Sequence, residues 1–134
     1  MKAVEGFPFY IFLMLLTSAL FVGIAFQQLR SYQSMRDMYI ARDNYLKLVH
    51  AIKELQLEAN GSLRTLHIEI PAGYTINFSG TKISLVGPIS ATNDVNVTLY
   101  PCGGLTSNFI QQGKYEIIVY KGWYDGKELT ICIQ

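Results

Sequence analysis

The sequence predicts an α+β protein: one long N-terminal α-helix, apolar in its first half and amphipathic in its second, followed by a small all-β head, sandwich or barrel-like. Three observations predict it. Charge is absent from Phe7 to Phe26, a run of twenty residues. From Gln27 to Ala59 there is neither Pro nor Gly, and apolar residues recur in steps of three and four, the period of one helix face. From Leu63 onward the period becomes two, broken by turn residues, as in short β-strands.

The chain opens MKAVEG, and residues 1–6 read as a short leader before the apolar run. Phe7–Phe26, FPFYIFLMLLTSALFVGIAF, has the length that spans a bilayer as a helix. It is apolar on every side, which soluble helices rarely are. Pro8 sits near the start, where a missing N–H costs little. A secretory signal would have a more basic start and a shorter apolar core ending in small residues. This run ends in Phe26-Gln27-Gln28 and reads as a retained membrane segment.

Residues 27–59 continue the helix. Leu29, Tyr32, Met35, Met38, Tyr39, Tyr45, Leu48, Val49, Ile52, Leu55 and Ala59 form the apolar stripe, which Arg42 interrupts. Asn60-Gly61-Ser62 supplies a helix stop. From Phe7 to about Glu58 one helix would be about 80 Å long at about 1.5 Å per residue.

Residues 60–134 form the β domain. LRTLHIEI puts Leu66, Ile68 and Ile70 on one face, and Pro71-Ala72-Gly73 turns the chain. YTINF and KISLV flank Ser79-Gly80-Thr81 as a hairpin. DVNVTLY alternates as a fourth strand, and Pro101-Cys102-Gly103-Gly104 reads as a break. KYEIIVY and ELTICIQ flank Gly122–Lys127 as a second hairpin, making six strands in all.

Little in the chain points to catalysis. The net charge of +1 offers no basic field for nucleic acid. His50 and His67 lie on different elements without metal-ligand spacing, and no nucleophile elbow or phosphate loop occurs. No catalytic, cofactor or metal residue is therefore assigned. Three sequons are present, headed by Asn60, Asn77 and Asn96; they are either chance matches to a short pattern or acceptors for surface glycans. Asn77 and Asn96 alternate with apolar neighbours and should face outward. Cys102 and Cys132 either pair as a disulfide or remain two thiols; closing a loop of about thirty residues would contribute roughly 3–4 kcal/mol in the chain-entropy model. Tyr115, Tyr120, Trp123 and Tyr124 read as core packing or as an aromatic surface patch for a partner or carbohydrate. Arg30, Arg36 and Arg42 after the span favour a head inside the cell. The sequons and the cysteine pair favour a head outside, and large domains translocate largely regardless of flanking charge, so an outside head is expected.

This layout resembles the type IV pilin superfamily, and the all-β head is similar to those of archaeal pilins and archaellins. SLRTLHIEIPAGYTINFSGTKISLVG is similar to the strand–Pro-x-Gly–strand–hairpin pattern of archaeal heads. MKAVEG followed by Phe7 matches family precursors in leader length, in Lys2, in Gly6 and in a Phe at the first mature position. It departs from them in Glu5 just before Gly6, in Pro8, and in Ile11, where bacterial pilins favour Glu. The resemblance implies cleavage between Gly6 and Phe7 by a prepilin peptidase, a membrane-anchored stage, and self-association through the apolar helix into an extracellular filament for adhesion. A second reading within it is an uncut, single-pass accessory or stator-like protein of a pilus or archaellum machine. A membrane-tethered carbohydrate-binding domain or enzyme is the third expectation.

Overall fold

A computed structural model describes residues 6–59, 61–103, 108–122 and 128–133. The chain has one long N-terminal helix and a head of two small β-sheets, the α+β fold that the sequence predicts. It divides into two compact units, residues 1–36 and 37–134.

Helix α1 runs Phe7–Gln56. Its stretch in the first unit is exposed at every residue from Phe7 to Arg36. The two aliphatic hydroxyls of the apolar run turn back onto the helix: Thr17 Oγ1 donates to the carbonyls of Leu13 and Met14 at 3.0 Å, and Ser18 Oγ to that of Leu15 at 2.9 Å. Polar atoms satisfied within the segment are what a hydrocarbon environment demands.

In the second unit the same helix becomes a core element. Ala41, Tyr45, Leu48, Val49, Ile52 and Leu55 are buried. Leu29, Tyr32, Met35, Tyr39 and Ala59 of the expected stripe are exposed. Met38 is half-buried, and full burial begins at Ala41. The helix stops at Gln56, and bonds from Leu57 N–H to Glu54 and from Glu58 N–H to Leu55 tighten its end. Lys121 Nζ reaches that end and donates to the carbonyls of Gln56 and Glu58, both at 2.7 Å. A cation on carbonyls left without an intrahelical donor is a favourable termination.

Among the described residues eight strands follow: β1 (Leu63–Ile70), β2 (Thr75–Ser79), β3 (Lys82–Val86), β4 (Ala91–Asp94), β5 (Thr98–Gly103), β6 (Phe109–Ile110), β7 (Gly113–Lys121) and β8 (Glu128–Ile133). The first sheet has the order β1-β7-β8-β5 and the second β4-β3-β2-β6. Every pairing is antiparallel except that of β5 with β8. The buried residues Ile68, Ile70, Ile76, Phe78, Ile83, Leu85, Ile117, Val119 and Ile131 join the helix side chains in one core.

Two turns use the chemistry that the sequence offers. Tyr74 N–H donates to Pro71 C=O at 3.2 Å with Gly73 at φ +85°, a type II arrangement. Ser79 faces Lys82, so Gly80-Thr81 is a two-residue hairpin loop with Gly80 at φ +60°.

The head departs from the expected strands in three places. DVNVTLY is not one strand: β4 ends at Asp94 in the second sheet and β5 begins at Thr98 in the first. Between them Asn96 adopts φ +55° and donates its N–H to Asp94 Oδ1 at 2.9 Å. Val95, Val97 and Leu99 stay buried throughout, so the alternation records the inward side chains and not a single strand. Pro101–Gly103 continue β5 where a break was expected. The polar β4 and the two-residue β6 are the additional strands.

Candidate functional site

The most distinctive surface is the apolar side of α1 from Phe7 to Phe26. Among its residues Phe7, Phe9, Phe12, Met14, Leu15, Phe21, Val22 and Phe26 are exposed large hydrophobics. The helix is long and apolar enough to cross a membrane, and its most apolar window is wholly unburied within the chain. A surface of this kind is stable only in lipid or against other apolar helices. Gly23 adds a position of close approach, because nothing stands within 4 Å of where a Cβ would be. Gly6 lies immediately before the first helical residue, and its carbonyl accepts from Tyr10 N–H at 3.1 Å. The Gly6–Phe7 bond is therefore at the very start of the apolar helix; residues 1–5 lie outside the described residues.

The sequons divide by place. Asn77 is exposed on β2, and Asn96 is exposed at the crossing between sheets. Asn60 lies outside the described residues. Cys102, on β5, is disulfide-bonded; its register partner on β8 is Cys132, the chain's other cysteine. Tyr115 packs partly buried against the core, Tyr120 is half-buried, and Trp123 and Tyr124 lie outside the described residues.

Two grooves lie between α1 and the first sheet. One, of about 560 Å³, is bordered by Asp43, Lys47, His67, Glu69, Lys114 and Glu116. The other, of about 370 Å³, includes His50, Glu54 and Arg64. Their charges engage each other: Lys47 meets Asp43 at 3.1 Å, and Arg64 bonds both Glu54 and Glu58. Those carboxylates raise the Arg64 guanidinium pKa, Glu58 most strongly, against an opposing effect of burial. His50 and His67 are both exposed. Among the described residues no group of three metal-ligating side chains comes together.

Sequence reasoning misses two features. The Lys121 clamp on the helix end gives no signal, because a lysine in a strand reads as a solvent-facing residue. The second is Phe109, placed opposite Asn77 by β6; two residues are too few to show a period. No family model matches this chain, and no curated protein and no solved structure is found to be similar to it.

Proposed function

We propose that this protein is the structural subunit of an extracellular type IV pilus-like filament. Its apolar helix anchors it in the membrane before assembly and packs among copies of itself afterwards. The β head lies outside, carries glycans at its sequons, and serves adhesion or fibre stability. The subunit works by assembly and not by catalysis.

One observation carries the reading: α1 is continuous from Phe7 to Gln56, yet every residue from Phe7 to Arg36 is exposed. That apolar length requires partners outside the chain. In lipid such a helix gains nothing hydrophobic by leaving its neighbours, and a bundle of identical helices meets the same need outside lipid. An open fibre follows if the contact between copies is head-to-tail and does not close. A membrane prepilin peptidase cutting at Gly6–Phe7 is the partner that releases the subunit for assembly.

Glu5 favours a second reading. An acidic residue directly before Gly6 stands where the resembling leaders tend to be basic, and fits an uncut single-pass accessory protein of a pilus or archaellum machine. Electron microscopy of sheared surface material, with N-terminal sequencing of the chain in it, separates the two. Filaments whose subunit starts at Phe7 support the first reading. Recovery only from membranes, in a small complex starting at Met1, overturns it in favour of the second.

A further inference from the structure

Across the outer face of the second sheet one row of side chains runs Thr92, Ser84, Asn77, Phe109, from β4 through β3 and β2 to β6. Thr92 and Ser84 share a hydrogen bond of 3.2 Å. Phe109 breaks the polar character of the row and is 42% exposed. It stands on the short strand at the sheet's edge. A ring with that much exposed surface can take a further apolar neighbour besides the contacts it makes within the chain.

The register brings a sequon beside it. Phe78 N–H donates to Asn108 C=O at 2.7 Å, so residues 78 and 108 form a hydrogen-bonded pair. Asn77 and Phe109, one step along, then form a non-hydrogen-bonded pair. In such a pair opposing side chains come closest, with Cα atoms about 4.5 Å apart. Asn77 heads the sequon Asn77-Phe78-Ser79, and Ser79 is exposed on the same face.

We infer that Asn77 carries an N-linked glycan whose first sugar lies against the ring of Phe109. The inference rests on the reading that the head is outside the cell. The donor is a lipid-linked oligosaccharide phosphate, used by a transferase outside this chain. Asn77 Nδ2 bonds to the anomeric carbon of the sugar; the bond from that carbon to the phosphate oxygen breaks; the amide gives up one proton, and the lipid phosphate leaves. The sugar's C–H bonds then meet the negative face of the aromatic ring, and its bulk removes ring surface from water. The same glycan blocks approach to the β6 edge. Asn96 serves as an internal control, since it lies outside any strand pair and has no ring in register with it.

The test uses the full chain in detergent from a glycosylating host. Glycopeptide mass spectrometry is expected to find Asn77 occupied. Removing the sequon by Ser79→Ala is expected to lower Tm by about 2–6 °C when Phe109 is present and by under about 1 °C in a Phe109→Ser background. Removing the Asn96 sequon is expected to give equal shifts in both backgrounds. In NMR spectra the first sugar's ring protons are expected to move upfield by ring current in the native chain and not in Phe109→Leu, which keeps apolar bulk. Equal Tm shifts for Ser79→Ala in both backgrounds overturn the seating of the sugar. A bare Asn77 overturns the whole inference, and if found in chains recovered from filaments it leaves the filament reading standing.

Discussion

Tyr45 joins the helix to the second sheet through one buried hydroxyl. It donates to Ile83 C=O at 2.9 Å and accepts from Asn93 Nδ2 at 3.0 Å. Replacing it with Phe leaves a buried carbonyl and an amide without that partner, so Tyr45→Phe is expected to cost about 1–3 kcal/mol in denaturant titrations near neutral pH. Burial raises the phenol above its ordinary pKa of 10.0, opposed by its hydrogen bonding with Asn93. The unfolded chain ionises first, so the stability tied to the neutral phenol is fully present below about pH 10 and is lost as pH rises through the higher folded value. The unfolding free energy followed from pH 9 to 12 should therefore fall more steeply in the native chain than in Tyr45→Phe. Lys121 poses the opposite case, a cation that is 7% exposed and donates to carbonyls and not to a carboxylate. Burial of the charge costs free energy, but Lys121→Met leaves two carbonyls at a helix end unpaired. The loss of those two charge-assisted bonds outweighs the relief, and Lys121→Met is expected to lower stability by about 1–3 kcal/mol; a urea midpoint that rises instead would show that desolvation dominates.

At the scale of elements, α1 presents one stripe to two surroundings. Leu48 is fully buried and Met35 is exposed, although the sequence puts both in one apolar series with steps of three and four. Leu48→Ala is expected to cost about 2–5 kcal/mol in denaturant titrations of the isolated chain, and Met35→Ala under about 0.5 kcal/mol. The existence of the helix is legible because no Pro or Gly interrupts residues 27–59. How far along it the head reaches is not, since periodicity records an apolar face without naming what covers it. The period of two in β1 is likewise plain, with Ile68 and Ile70 buried and His67 and Glu69 exposed. The crossing at Asn96 is invisible for a physical reason: Val95, Val97 and Leu99 point into one core while the backbone passes from one sheet to the other. Val95 N–H bonds to Thr81 C=O at 2.9 Å and Leu99 N–H to Gly80 C=O at 3.1 Å, so the crossing is held by a hairpin loop remote in sequence. For the candidate site, Gly6, Phe7 and the apolar run are legible because charge simply disappears. The pairing of Asn77 with Phe109 is a matter of register, which no local pattern carries.

For the whole molecule, the core of the head draws on Ala41 through Ile131, and among the described residues none before 37 belongs to it. A fragment of residues 37–134 is therefore expected to fold alone, read as a cooperative thermal transition by circular dichroism and as a monomer by analytical ultracentrifugation. The full chain is expected to need detergent to remain dispersed. The order of the first sheet adds a constraint of timing. Among the described residues β5 has β8 as its one sheet neighbour, and β8 follows the other seven strands in chain order. A chain threading through a membrane from its N-terminus would complete the second sheet while β5 waited without a partner, because residues 128–133 had yet to emerge. In a head secreted as proposed, closing the first sheet would follow passage of the whole strand region, a checkpoint written into strand order. A chain shortened before Glu128 is expected to lose hydrogen-exchange protection over Thr98–Gly103 while β2 and β3 keep theirs, which separates a late-closing sheet from one that forms as it emerges.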